Sequence, residues 1–155
     1  MQIIKTLVGI SLLTWISMVS SSDPPTAYEM LEKFNFPKGI LPLGVKSYTL
    51  HEDNRFEVYL NGDCKFEIEN GGYSLNYKKK ISGKVVFGDL RELQGVSVKI
   101  LFVWVSIGEV RNRGDGKMEF YVGPLSASFP VSNFEDCPQC DCKNRDYTNQ
   151  MVLDS

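Results

Sequence analysis

Four cysteines, a single histidine and a few adjacent carboxylates are the residues of this 155-residue chain whose chemistry could go beyond packing. Three of the cysteines crowd into Cys137-Pro138-Gln139-Cys140-Asp141-Cys142, and the fourth, Cys64, lies far upstream. A C-x-x-C spacing suits a tetrahedral zinc site when further thiolates or imidazoles come within reach, and thiol redox chemistry when one thiolate is stabilised. In an oxidising compartment the same even count gives structural bridges instead, and four cysteines allow three connectivities. His51, in Leu50-His51-Glu52-Asp53-Asn54, must serve any Ser-His-Asp or Cys-His arrangement, because it is the only histidine. That segment reads as a solvated turn, and the chain has no G-x-S-x-G elbow. Glu52-Asp53 and Glu135-Asp136 are paired in sequence alone, with nothing to set them across a glycosidic bond. Arg113-Gly114-Asp115-Gly116 carries an adhesion-like triplet, but glycine and aspartate there are ordinary hairpin chemistry.

The compartment decides among these readings. Residues 1–22 have Lys5, an apolar run from Leu7 to Val19 broken by Ser11, Thr14 and Ser17, and then Ser20-Ser21-Ser22. This is the layout of a secretory signal peptide. The run is too short for a bilayer span, which needs about 20 apolar residues, so an uncleaved membrane anchor is the alternative reading. The expectation is a secreted, extracellular protein in which Cys64, Cys137, Cys140 and Cys142 form disulfides, with no metal and no cofactor. The leader's one charge is Lys5, so its removal takes the formal charge from −2 to −3. That balance gives no reason to expect nucleic acid as a partner, and Lys78-Lys79-Lys80 reads as a solvated turn between two strands. N-x-S/T acceptors are absent.

The positioning elements read as mainly β. A short helix is expected from Pro25 to Phe34, where Tyr28, Leu31 and Phe34 recur and Pro37, Gly39 and Pro42 follow as stops. The segment from Phe34 to Gly44 is expected to pack along the domain's edge. From Val45 on, alternation of period two sets Phe56, Val58 and Leu60 opposite Arg55, Glu57 and Tyr59, and Cys64, Phe66 and Ile68 opposite Lys65, Glu67 and Glu69. Asn61-Gly62 between these strands is a tight-hairpin signal. Tyr73, Leu75 and Tyr77 lie in the next strand, and Ile81, Val85 and Phe87 in another that Gly83 bends. Val96 to Val110 is apolar on both faces and reads as one central strand covered on its far side by the helix. Lys117 to Gly123 and Leu125 to Phe129 complete the set.

Seven or eight strands at roughly ten-residue spacing predict an antiparallel β barrel, closed or nearly closed, with the short helix packed on it. The domain is expected over residues 23–142, with 143–155 as a flexible tail. Cys64 faces inward in this register, which predicts a bridge from its strand to the C-terminal segment. A small barrel can hold one apolar ligand, and Tyr59, Tyr77, Phe102, Trp104 and Phe120 are the aromatics expected to line such a site.

Pro37-Lys38-Gly39-Ile40-Leu41-Pro42 with Val45 and Tyr48, then Phe56-x-Val58-x-Leu60 and Cys64, resemble the opening of the plant "domain of unknown function 538" family. Ile81-x-Gly83, Gly88-x-Leu90, Leu93-x-Gly95-Val96-x-Val98-Lys99 and Leu101-Phe102-x-Trp104 resemble its centre. Phe120-x-Val122-Gly123 and Ser128-Phe129-Pro130-x-Ser132-x-Phe134 resemble its end. The resemblance spans roughly Tyr28 to Cys140. It implies an antiparallel β barrel with helix, a suggested likeness to lipid-binding bactericidal permeability-increasing proteins and a suggested hydrolase role. It transfers no catalytic residue. The functional expectation is a secreted plant protein that binds a hydrophobic or lipid-like small molecule or a cell-wall component without catalysis. The alternatives are an ester hydrolase and an extracellular protein-interaction module.

Overall fold

The structure, a computed structural model, describes residues 23–68 and 73–140. The expected leader, the expected tail over 143–155 and Cys142 lie outside the described residues. Thr26 caps helix α1 (Ala27–Lys33) by accepting the Glu29 N–H at 3.1 Å. The helix stops before any proline. Asn35 takes a left-handed φ of 68°, and the Phe36 and Asn35 N–H groups return to the carbonyls of Leu31 and Glu32. That is the Schellman arrangement, with Asn in the place usually held by glycine.

Nine strands form one antiparallel sheet: β1 (Val45–Leu50), β2 (Arg55–Leu60), β3 (Cys64–Ile68), β4 (Tyr73–Val86), β5 (Asp89–Ile100), β6 (Val103–Ser106), β7 (Glu109–Asn112), β8 (Lys117–Val122) and β9 (Leu125–Pro130). β4 and β5 are the long spine. β2 and β3 lie end to end along β4, and β6 and β7 lie end to end along β5. The seven-strand order β1-β2-β4-β5-β7-β8-β9 therefore narrows at one end to a four-strand ribbon, β3-β4-β5-β6.

Three sequence expectations change here. Asn61-Gly62 does not turn a hairpin, because both strands it joins pair with β4 in the same direction. A hairpin would fold β3 onto β2 and leave the ribbon half of β4 unpaired. Asp63 bridges the break by accepting the Lys79 N–H at 2.8 Å. Lys78, Lys79 and Lys80 stand exposed inside β4, not in a turn. The stretch from Val96 to Val110 is not one central strand but the end of β5, a turn at Leu101-Phe102, and β6 and β7. Its second apolar face exists because the turn residues stand in solvent, Leu101 at 86% and Phe102 at 92% exposure.

The expected barrel does not close. β1 and β9 are the free edges of the seven-strand part of the sheet. The gap between them is filled by α1, a 3-10 turn at Lys38–Ile40 and a second at Val131–Phe134, which pack in that order from β1 round to β9. The helix thus completes the wall rather than covering a central strand. The segment after it also lies deeper than its expected place at the edge: Phe36, Ile40, Leu41 and Pro42 are all buried.

Candidate functional site

Alternation along each strand sends one set of apolar side chains into the space enclosed by the curled sheet, α1 and the two 3-10 turns. Leu75, Tyr77, Ile81 and Val85 come from β4, Leu90 and Val98 from β5, Val110 from β7 and Met118 from β8, all buried. They do not fill it. One cavity of about 100 Å³ lies beneath α1, bounded by Leu31, Phe34, Val58, Tyr77 and Ile81 among others. A second, of about 270 Å³, lies between the ribbon's inner face and the β8–β9 hairpin, bounded by Tyr73, Val98, Ile100, Leu125, Ala127 and Phe129 among others. Leu75, Ile107, Phe120 and Phe134 line both, so the two spaces share a wall of side chains.

Aromatic rings floor the larger space. Tyr73 meets Phe129 edge-on at 5.5 Å, Phe129 meets Phe120 at 5.7 Å, and Phe120 meets Phe134 at 5.4 Å. Edge-to-face pairs at these separations hold one another in place, which keeps the wall shaped while the space beside it stays open. Two of the tyrosine hydroxyls at the smaller cavity are already paired. Tyr77 donates to the Ile40 carbonyl at 2.6 Å and Tyr48 to the Pro25 carbonyl at 2.5 Å. Burial pushes the Tyr77 phenol far above its ordinary pKa, so it stays neutral. Among the described residues no Asp, Glu, Lys, Arg or His lines either cavity. Dry apolar cavities of about 150 Å³ already take up benzene-sized guests, so the larger space has room for a small apolar molecule.

A family model described as "Protein of unknown function, DUF538" matches residues 27–135. The chain belongs to the DUF538 family. No curated protein and no solved structure matches it. The DUF538 match opens on Ala27 and closes one residue past Phe134, the first and last residues lining the cavities. The matched segment therefore includes every residue that lines the two cavities.

Of the aromatics expected at the site, this DUF538 chain brings two to it and leaves three elsewhere. Tyr77 and Phe120 line the cavities. Tyr59 lies on the outer face, with its hydroxyl on Glu57 at 3.2 Å and the Lys80 ammonium 5.9 Å above its ring. Trp104 lies on the outer face of the ribbon, 5.5 Å beneath the Lys65 ammonium. Phe102 is at the β5–β6 turn. The sequence reading missed the contributions of Tyr73, Phe129 and Phe134. Strand parity pointed to the first two, since Tyr73 and Tyr77 share a face, as do Leu125, Ala127 and Phe129. No sequence signal marked Phe134, which arrives from a 3-10 turn.

Cys64, fully buried, is bonded to Cys140, joining β3 to the C-terminal segment as its inward register implied. The bridge closes a sequence separation of 76. Cys137 carries a free thiol that donates to the Lys38 carbonyl at 3.4 Å, and burial pushes its pKa up. Its expected partner in a second bridge would be Cys142, outside the described residues. Among the described residues no three His, Cys, Asp or Glu side chains gather around a common point. His51, Glu52 and Asp53 are exposed in the β1–β2 turn, and Glu135 and Asp136 are exposed after the last 3-10 turn. Arg113 to Gly116 form the β7–β8 turn, where Asp115 accepts the Lys117 N–H at 3.0 Å.

The outer face of the seven-strand end is an ion-pair ladder. Buried Asp89 holds Arg91 at 2.6 Å and Arg111 at 3.8 Å, Glu109 also holds Arg111, and Glu119 holds Arg113 at 3.0 Å. Three carboxylates thus face three guanidinium groups.

Proposed function

We propose that this protein is an extracellular plant protein that binds a small hydrophobic or lipid-like molecule in its apolar interior and performs no chemistry on it. The observation that carries this reading is the apolar interior space: adjoining, partly open cavities of about 100 and 270 Å³ whose walls are apolar and carry no charged side chain among the described residues. A ligand there would be held by area contact and shape, with few polar groups to fix its orientation. Secretion rests on the leader-like residues 1–22, and the Cys64–Cys140 bridge suits an oxidising compartment.

The rival ester-hydrolase reading needs a nucleophile and a base beside the bound ligand. The cavity walls supply Ser126 without a histidine or carboxylate, while His51 stands in a solvent-exposed turn. Binding without turnover is therefore the better-supported reading.

The test is titration with an environment-sensitive fluorescent fatty acid, together with native mass spectrometry of protein purified from its source tissue. Wild type is expected to bind the probe and to carry a co-purifying mass. Ala127→Trp, which inserts an indole into the larger cavity from β9 opposite Phe120, is expected to weaken the probe by about tenfold or more. Absence of both the mass and any binding above background would overturn the reading.

A further inference from the structure

The β5–β6 hairpin ends in residues that its turn does not call for. A two-residue connection between paired Ile100 and Val103 ordinarily takes glycine, asparagine or aspartate. Here it is Leu101-Phe102, and Leu101 has a φ of 57°, in the left-handed region where a side chain costs about 1 kcal/mol or more. The strain comes with no compensating burial, since Leu101, Phe102 and Val103 are 86%, 92% and 62% exposed. Local strain that the fold does not need is a pointer to function.

The residues behind the tip are ordered by depth. Directly after the apolar tip, Lys99 and Trp104 stand opposite one another across β5 and β6 on the outer face. One row further back, Lys65, Asn76, Ser97 and Ser106 form a polar row across all four strands. Along the hairpin's length, apolar side chains give way to an amphipathic indole with a lysine, and then to hydroxyls, an amide and a second lysine. This is the order of environments met in leaving a bilayer: hydrocarbon, interface, headgroups. Against these two lysines the described outer face of the ribbon sets one carboxylate, Glu67, which favours an anionic surface.

We infer that the β5–β6 tip inserts into the interface of an anionic phospholipid bilayer and carries the mouth of the larger cavity to the membrane surface. Ile100, the residue before the tip, lines that cavity, and so does Leu125, which is itself 63% exposed at the start of β9. Tip and mouth therefore face the same surroundings, and a lipid-like guest could pass between bilayer and cavity without crossing bulk water. A protein partner fits the tip less well. A stable protein interface buries about 800 Å² on each side, and a single two-residue turn does not present that area, whereas hydrocarbon requires no complementary shape.

The inference builds on the cavity reading but fails separately from it. Tryptophan occurs only at positions 15 and 104, so in the mature chain without the leader-like residues 1–22 Trp104 alone reports and no apolar leader contributes to partitioning. With vesicles of phosphatidylcholine and phosphatidylserine, the protein is expected to sediment with lipid, its emission to shift to the blue, and acyl-brominated lipid to quench it. Phe102→Asp is expected to cut partitioning by about tenfold or more, and Lys99→Glu to reduce it severalfold with loss of the preference for phosphatidylserine. Phe102→Ser, which adds no charge, should fall between wild type and Phe102→Asp. Absence of wild-type partitioning, or partitioning unchanged in Phe102→Asp, would overturn the inference. So would concentration-dependent self-association without lipid that Phe102→Asp abolishes, which would assign the tip to a second copy of the chain. Retained fatty-acid binding in solution by a protein that ignores vesicles would remove the membrane role and leave the cavity standing.

Discussion

At the helix end of the interior, Tyr28, Tyr48 and Tyr77 each donate a hydroxyl to a backbone carbonyl of the covering segments, at Pro42, Pro25 and Ile40. At the ribbon end, Leu101, Phe102 and Leu125 donate to nothing and touch mostly water. The first end is fastened by many small specific bonds and by the Cys64–Cys140 bridge. The second exposes apolar surface and accepts backbone strain. The contrast separates two roles that one sheet must combine: residues that hold the container shut and residues that meet what enters it. Substitutions at the fastened end should change stability and leave partitioning into lipid alone, while those at the ribbon tip should do the reverse.

Removing the bridge should show the largest stability effect. Cys64→Ser with Cys140→Ser is expected to lower the unfolding free energy by about 4 kcal/mol in a denaturant titration, from the chain entropy a closure of this length restricts. Tyr77→Phe comes next, at about 1 to 2 kcal/mol, because it leaves the buried Ile40 carbonyl without its donor.

Tyr77 also sets a pH dependence. Its folded pKa is raised by burial above the ordinary 10.0, and that of Tyr28 is raised in the same direction for the same main cause. The contribution of these phenols is thus fully present below pH 10.0 and is lost as the pH climbs through their folded values. Thermal melts of wild type should fall across that alkaline range, and those of Tyr77→Phe should fall less steeply.

Leu101→Gly tests the contrast from the other side. It relieves the left-handed strain and should stabilise the fold by about 0.5 kcal/mol, while vesicle partitioning drops severalfold. A loss of stability instead would mean that the tip serves the fold. The smallest effect is expected at the other hairpin end, where Arg113→Ala removes the solvent-screened pair with Glu119 and should leave the melting temperature nearly unchanged without touching lipid binding.

Much of this was legible in the sequence wherever the deciding interactions are local. The turns at His51 to Asn54 and Arg113 to Gly116 carry their own chemistry, and both fall where expected. Parity within strands put Cys64 inward and set Tyr59 apart from Val58 and Leu60, and the structure keeps those faces. Asn61-Gly62 carries the same local signal as a true hairpin, yet the outcome depended on which stretch of β4 each neighbouring strand would find. The barrel expectation failed for a similar reason. Closure requires an edge-to-edge pairing that no strand specifies alone, and burial of Phe36, Ile40 and Pro42 put a helix and two 3-10 turns into the gap. Trp104 counts among the expected lining residues because Val96 to Val110 reads as one doubly apolar strand, which the turn at Leu101-Phe102 breaks. The long reach of Lys65 across the ribbon, which partly shelters the indole, is a contact between β3 and β6 that no local pattern announces.

The two breaks in the flanking strands fall at one level. Residues 61–63 face the irregular stretch of β4 between Tyr77 and Ser82, which adjoins Gly95 in β5, beyond which lies Ile107-Gly108. Gly95, at φ 93°, brings its α-carbon so near the Lys80 carbonyl that a β-carbon would sit 2.4 Å from it. The two flanking tracks of backbone break and the two central strands are irregular along a single line across the sheet, as paper is along a crease. Bulges and glycines of this kind are where a sheet bends, and the Cys64–Cys140 bridge and the Tyr77 hydrogen bond to Ile40 tie the ribbon across that bend to the covering segments.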